Sequence, residues 1–175
     1  MEKKIKALIA CLLFIYVGVA QIPNGYYNAA ASKTGENLRA ALRDIITNGS
    51  VKIPYTSSSF DIWDAYSVTD TRPGNNTVIW DMYSDIPIAV PLYTYTLYAN
   101  QCGTTSAEGG CYSREHQMPN SWWGGFDDAG NPQYTDLHHL PPSDQYVNSR
   151  KSAHPIGETN APDWTSTNGS KVGPC

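Results

Sequence analysis

The stretches YSREHQMPNSW (residues 112–122) and DLHHLPPSDQYVNSR (residues 136–150) decide the fold and carry most of the chemistry of this 175-residue chain. All four histidines lie between residues 112 and 158. Glutamate and asparagine oxygens suit a hard cation such as Mg²⁺. An imidazole that titrates near neutral pH suits proton abstraction from water. The two stretches therefore predict a metal site with a general base.

The first stretch predicts a short strand over residues 111–116. The period-two alternation of a regular strand puts Glu115 and His116 on opposite faces. Both side chains can still serve one site if the strand ends or bulges there. Pro119 favours such an end, because proline donates no hydrogen bond to a strand ladder.

The second stretch predicts a strand, a turn and a helix. We expect the strand over residues 134–140 and the turn at residues 141–143. A helix follows over about residues 143–152, with a proline or serine near its start. Asn148 would lie one to two turns into this helix and face back toward the first strand.

These residues resemble the bacterial endonuclease I family, whose members are secreted or periplasmic non-specific nucleases with a ββα-metal active site. The matching positions are Arg114, Glu115, His116, Pro119 and Trp122, then Asp136, His138, Leu140 and Pro142, then Val147, Asn148 and Arg150. Residues 36–46 and 77–83 also resemble one branch of the family. The resemblance implies an α+β fold: a ββα-metal nuclease core with additional N-terminal helices.

The resemblance implies a role for each matching residue of the metal site. His116 corresponds to the general base, and Glu115 and Asn148 correspond to metal ligands. The expected metal is Mg²⁺, with Mn²⁺ or Ca²⁺ as alternatives. His138 corresponds to a family histidine and is expected to support catalysis from around the site. An ordinary surface position is the alternative for each of these side chains.

The expected substrate is DNA, RNA or both, without sequence specificity, and cleavage leaves 5′-phosphate and 3′-hydroxyl ends. The family uses an arginine to neutralise the scissile phosphate, and Arg114 and Arg150 are the nearby candidates. An ion pair at the helix end is the alternative for Arg150. Trp122 and Trp123 are candidates for stacking on a base. Most other aromatic side chains are expected to fill the core.

The first twenty residues have the pattern of a secretory signal peptide. Three lysines precede a continuous apolar run over residues 7–20, which ends in small residues suited to cleavage. Fourteen apolar residues are short for a membrane-spanning helix. Lipidation at Cys11 is disfavoured because apolar sequence continues after it. We expect a secreted or periplasmic, monomeric nuclease domain over residues 21–175 with no membrane association.

The charge of the chain does not favour a nuclease. Removal of residues 1–20 takes away three lysines and one glutamate, which leaves nine basic and fifteen acidic side chains and a net charge of −6. Non-specific nucleic-acid binding usually shows a basic excess. The nuclease interpretation therefore rests on the motifs, and the net charge does not support it.

Three cysteines remain after this cleavage. Cys102 and Cys111 flank a glycine-rich loop, and we predict a disulfide between them, with two free thiols as the alternative. Cys175 has no evident partner. Members of the resembled family usually continue well beyond this position, so the domain is expected to be incomplete at its C-terminus.

The remaining elements fit an α+β domain. Apolar residues at helical spacing predict a helix over residues 36–46 with Thr34 as its N-cap. A shorter helix is predicted over residues 60–66. A β-branched and aromatic run predicts a strand over residues 77–83.

Two other functions remain open at this stage. An exported carbohydrate- or surface-binding module would explain the acidic, aromatic-rich composition, but it needs no Glu-His and Asn set. An inactive nuclease fragment would follow from a missing C-terminal segment. A zinc hydrolase is disfavoured, because the chain has no His-Glu-x-x-His motif or paired cysteine spacing.

Overall fold

The computed structural model describes residues 22–86, 89–127 and 131–174. The predicted signal peptide and Cys175 lie outside these ranges. The chain divides into two units, residues 1–50 and 51–175. Over the described ranges, the helices are all too short or too polar to cross a membrane.

The first unit contains helix α1, Gly35–Thr47, preceded by a 3₁₀ turn at Asn28–Ala30. Its extent confirms the predicted helix. Thr34 is the N-cap residue, but its side chain makes no capping hydrogen bond. Glu36 in the first turn instead interacts favourably with the helix dipole.

The second unit begins with helix α2, Ile62–Thr69. Its start is fixed by a capping box: the Asp61 carboxylate accepts hydrogen bonds from the amides of Trp63 (2.8 Å) and Asp64 (3.4 Å). Asp64 in turn accepts from the Asp61 amide at 3.0 Å. The helix therefore starts two residues later than predicted, directly after Asp61.

Among the described residues of the second unit, the strands are short and pair antiparallel in three two-stranded sheets. The pairs are β1 (Thr71–Arg72) with β2 (Asn75–Ile79), β3 (Tyr112–Arg114) with β4 (Pro142–Asp144), and β5 (Trp164–Thr165) with β6 (Lys171–Val172). Helix α3, Gln145–Lys151, follows β4 directly and contacts both β3 and β4. Helices and antiparallel strands together confirm an α+β fold.

The core of this unit lies between α2, β2 and β3. Its buried residues are Ile62, Tyr66, Ile79, Tyr95, Tyr112 and Leu140. Buried tyrosine hydroxyls require partners. That of Tyr66 donates to the Leu140 carbonyl at 2.6 Å, and that of Tyr95 donates to the Asp144 carboxylate at 2.5 Å. These aromatic side chains fill the core, as the composition predicted.

The second strand of the pair differs from the prediction. Residues 134–140 do not form a strand: Pro132–Thr135 is a 3₁₀ turn with its proline in the first positions, and the Asp136 carboxylate accepts from the His138 amide at 2.9 Å. The strand instead lies at Pro142–Asp144, where a turn was predicted. Pro142 is tolerated because it sits at the end of the ladder, opposite Arg114.

Asp144 joins several parts of this unit. One carboxylate oxygen accepts from the Val147 amide at 2.8 Å and caps α3. The other accepts from Tyr95 and from the Gly109 amide at 2.8 Å. Gly109 belongs to the loop closed by the Cys102–Cys111 disulfide, whose Cα atoms lie 5.8 Å apart. The structure thus confirms the predicted disulfide.

Candidate active site

A polar cleft of about 360 Å³ lies at the carboxyl end of β3, next to α3. It brings together four of the predicted site residues: Arg114, Glu115, His116 and Asn148. The loop after β3 supplies one wall, and Tyr55 and Tyr134 supply another. The full lining is Tyr55, Arg114, Glu115, His116, Pro119, Asn120, Ser121, Tyr134, Asn148, Ser152 and Ala153.

The end of β3 explains how two adjacent residues serve one cleft. Regular pairing stops at Arg114, and the backbone continues with single bonds from the Glu115 amide to Pro141 (2.9 Å) and from the Gln117 amide to His139 (3.0 Å). Glu115 contacts α3, while the His116 ring packs against the tyrosines opposite. The strand end predicted from Pro119 therefore places both side chains at the cleft.

The His116 ring is fixed in one tautomer. Its Nε2 lies 2.8 Å from the Tyr134 carbonyl oxygen, which only accepts hydrogen bonds, so Nε2 carries the proton. Nδ1 of the neutral ring then holds the lone pair. Burial lowers the pKa of His116, which favours this neutral form, although the carbonyl contact opposes the shift. The ring is parallel to Tyr55 at 6.1 Å and lies 5.8 Å from Trp123.

His139 supports the same wall from behind. Its Nε2 lies 2.7 Å from the Gln133 carbonyl, and its ring centroid is 5.8 Å from that of His116. Two imidazoles thus hold neighbouring carbonyls of the 3₁₀ turn at residues 132–135.

The Glu115 carboxylate is buried and paired. Its Oε1 accepts from the Tyr83 hydroxyl at 2.8 Å and lies 2.9 Å from the Lys151 ammonium. Burial raises the pKa of Glu115, and the Lys151 and Tyr83 contacts oppose this rise. Oε1 is therefore occupied, and Oε2 is the oxygen left for another partner.

The Asn148 amide has a fixed orientation. Its Nδ2 donates to the Ser113 hydroxyl at 3.1 Å, which leaves Oδ1 as the acceptor. Glu115 Oε2 and Asn148 Oδ1 are hard oxygen donors at one cleft, as Mg²⁺ requires, and two protein ligands leave its other positions to water and phosphate. Within the described ranges there is no cluster of three or more His, Cys, Asp or Glu side chains suited to a metal. The donor set fits a Mg²⁺-type ion.

Arg114 lines the cleft but is already held on one side. Its Nη1 donates to the Tyr55 carbonyl and to the Thr56 hydroxyl, the latter at 3.2 Å. The guanidinium lies 3.4 Å from the Tyr55 ring centroid and 4.3 Å from that of Trp63. These contacts fix the direction of the side chain along the cleft wall.

The other predicted site residues do not line the cleft. Arg150 is exposed and donates to the Tyr146 hydroxyl at 2.6 Å, on the face of α3 that meets Trp164. The His138 side chain is 95% exposed, and its Nδ1 lies 2.8 Å from Asp136. Trp122 is 56% exposed, at the end of the 3₁₀ turn whose other residues line the cleft.

Sequence reasoning missed Lys151, Tyr83 and Ser113, which orient the two candidate ligands. Lys151 follows Asn148 by three positions and so shares its helix face. Tyr83 is distant in sequence from both stretches. Ser113 is two residues before Glu115, on the same face of the strand.

Comparisons with known proteins identify the family of this chain. The sequence pattern of the family described as Endonuclease I matches residues 34–175. An extracellular ribonuclease of Bacillus amyloliquefaciens is 35% identical over 130 residues, and one of Bacillus subtilis (strain 168) is 33% identical over 130 residues. Each match covers 72% of this chain but 37% of the relative, so the chain spans little more than a third of these relatives. No solved structure matches significantly. The chain belongs to the endonuclease I family.

Proposed function

We propose that this chain is a secreted, metal-dependent endonuclease that hydrolyses phosphodiester bonds of DNA and RNA without sequence specificity. One observation carries the proposal: His116, whose Nε2 contacts the Tyr134 carbonyl, shares a cleft with the oxygens of Glu115 and Asn148. A base and a pair of hard oxygen ligands can together support metal-assisted hydrolysis of a phosphodiester.

We further propose that β3, β4 and α3 form a ββα-metal core. The three elements are consecutive in the cleft region, β3 pairs antiparallel with β4, and α3 contacts both. One candidate ligand comes from the end of the first strand and the other from the helix. This distribution of Glu115 and Asn148 supports the proposal.

His116 would accept a proton from the attacking water through Nδ1 while Nε2 stays bonded to the Tyr134 carbonyl. The water oxygen bonds to phosphorus as the bond to the 3′ oxygen breaks, and that oxygen takes a proton from solvent. A bound Mg²⁺, or Mn²⁺ or Ca²⁺ in its place, would stabilise negative charge on the phosphate and the departing oxygen. The products carry 5′-phosphate and 3′-hydroxyl ends. Since no 2′-hydroxyl takes part, RNA and DNA both serve as substrates.

Substrate binding is proposed to use Arg114 and Trp122. Arg114 lines the cleft, and the N–H groups of its guanidinium other than those on Nη1 would neutralise the scissile phosphate. Trp122 offers an exposed ring beside the cleft for stacking on a base. Arg150 and His138 would act farther out, Arg150 on the nucleic-acid backbone and His138 through the turn before β4.

The names of the relatives support both the substrate and the location. Both are extracellular ribonucleases, which agrees with cleavage of RNA and with export through residues 1–20. N-terminal sequencing of the secreted protein is expected to begin at Gln21. A sequence that begins at Met1 or at a lipidated Cys11 contradicts export in this form.

The test is cleavage by purified residues 21–175 of supercoiled plasmid and of single-stranded RNA, with Mg²⁺ or with a chelator. We expect both substrates to be cut with Mg²⁺ and neither with chelator. The ends should accept kinase labelling only after phosphatase treatment, because they already carry 5′-phosphate. Binding of nucleic acid or carbohydrate without any cleavage would favour a binding module.

A further inference from the structure

Lys151 makes an unusual set of contacts next to the candidate metal site. Its ammonium lies 2.9 Å from Glu115 Oε1, and it donates to the carbonyls of Gln117 at 3.1 Å and His116 at 3.3 Å. An ammonium has three protons, and these three acceptors use all of them. The side chain is 10% exposed, where an unpaired lysine would be strongly disfavoured.

These contacts match the geometry of the two elements that carry the ligands. Asn148 and Lys151 are three positions apart on α3 and share one helix face. Ser113 and Glu115 are two positions apart at the end of β3 and share one strand side. Asn148 makes a hydrogen bond to Ser113, and Lys151 makes an ion pair with Glu115. Helix α3 therefore contacts the end of β3 through two side chains, one turn apart.

We propose that Lys151 is a positioning residue that sets the affinity of the Glu115–Asn148 pair for a divalent cation. This inference rests on the proposed function. Lys151 and Tyr83 both bind Glu115 Oε1, which would leave Oε2 to hold the cation. Lys151 also anchors the backbone of His116, so the ligand carboxylate and the base are fixed by one side chain. Partners that orient a metal ligand typically contribute about 10–100-fold to affinity or activity.

The direction of the effect separates positioning from simple charge. The positive charge of Lys151 repels a nearby cation, so its removal alone would strengthen cation binding. Loss of the contact would instead free the Glu115 carboxylate to rotate or take another partner, and would weaken binding. Positioning therefore predicts weaker binding in a neutral variant of similar length.

The experiment compares Lys151→Met with Lys171→Met, which removes an exposed lysine of β6 away from the cleft. Titration calorimetry with Mn²⁺ measures cation affinity, with circular dichroism to establish folding. We expect Lys151→Met to bind Mn²⁺ about 10–100-fold more weakly, and Lys171→Met to match the unsubstituted chain. Cleavage by Lys151→Met should recover toward normal at high Mg²⁺ concentration, which a general loss of packing would not produce.

Two milder variants keep the test decisive if Lys151→Met does not fold. Lys151→Arg keeps a charged donor, and Tyr83→Phe removes one hydroxyl from Oε1 while keeping the ring. Both are expected to weaken Mn²⁺ binding, by less than Lys151→Met. Normal or tighter Mn²⁺ binding in every folded variant would contradict the positioning role of Lys151 but not the proposed metal site. If the unsubstituted chain binds no Mn²⁺, or if Asn148→Ala leaves its affinity unchanged, the proposed metal site is wrong as well.

Discussion

Replacing His116 by glutamine separates the proposed role of the imidazole as a general base from its contribution to stability. The imidazole is 9% exposed and bonds the Tyr134 carbonyl at 2.8 Å. Alanine would leave that carbonyl unpaired, at a cost of about 1–3 kcal/mol, and would also remove packing against Tyr55 and Trp123. A glutamine amide can keep a donor to the carbonyl, so we expect a loss of only about 1 kcal/mol, the typical cost of a point substitution.

The effect on catalysis should be the same for both variants, since neither side chain can take a proton from water. General-base catalysis contributes roughly 10²–10⁴-fold. This range corresponds to about 2.7–5.4 kcal/mol in the barrier at about 1.36 kcal/mol per tenfold. The loss should not be recovered at high Mg²⁺ concentration, because Glu115 and Asn148 are unchanged.

The pH dependence gives an independent check. Burial lowers the pKa of His116, so the rate of the unsubstituted protein should fall as pH drops through a value below the usual imidazole pKa of about 6.5. The unfolded chain binds this proton at higher pH than the folded one. The contribution of His116 to stability is therefore present above about pH 6.5 and is lost as pH falls toward the lowered pKa. His116→Gln should lose this acid limb of the rate profile.

The assay is plasmid nicking over Mg²⁺ concentration and pH, with urea unfolding of each variant as the stability measurement. The expected pattern is a large rate loss in both variants but a large stability loss in His116→Ala alone. If folded His116→Gln cleaves at a near-normal rate, the base is a different group and the proposed mechanism is wrong. If stability falls equally in both, the Tyr134 contact is not what holds the ring.

Three further predictions test the ligands, the loop and the core. Glu115→Ala and Asn148→Ala should lose cleavage at low Mg²⁺ and regain part of it at high Mg²⁺, and a loss that no Mg²⁺ concentration reverses would exclude them as ligands. Reduction of the Cys102–Cys111 disulfide should lower the free energy of unfolding by about 2–3 kcal/mol in urea; two free thiols in unreduced peptides by mass spectrometry would contradict this. Tyr66→Phe should cost about 1–2 kcal/mol by leaving a buried carbonyl unpaired, whereas an equal effect of the same change at an exposed tyrosine would argue against this cause.

The sequence predicts what depends on short spacing. Helix α1, helix α3, the first strand of the pair and the disulfide all follow from local pattern or from cysteines close in sequence. Part of the cleft is also predictable from the sequence, because Glu115 and His116 are adjacent residues at the end of β3. Asn148 reaches the same cleft because its helix follows the partner strand directly.

The sequence does not predict what depends on distant partners. The composition of residues 134–140 is compatible with a strand that pairs with β3. The segment is irregular instead, because Pro132 starts a 3₁₀ turn and the Asp136 carboxylate bonds the His138 amide. The direction of Arg150 depends on Trp164, and the pairing of Glu115 depends on Tyr83, neither of which lies in the two motifs. Such contacts appear only when the chain is folded.

Adjacent identical residues show the same limit. Trp122 and Trp123 differ in burial because a 3₁₀ turn ends between them: one ring is exposed, and the other packs edge-on against His116. No periodicity could assign the two rings over so short a segment. Of the two, Trp122 has the exposed ring that the proposed stacking on a base requires.

The carboxylate of Asp144 has a consequence for the dynamics of the molecule. It accepts hydrogen bonds from the amide of Gly109, in the disulfide loop, and from the amide of Val147, in α3. The carboxylate itself is buried beside the core. Opening of either amide to solvent breaks a hydrogen bond to this same buried carboxylate. Their hydrogen exchange should therefore report one shared opening event, so that the disulfide loop and the helix that carries Asn148 behave as a single cooperative unit.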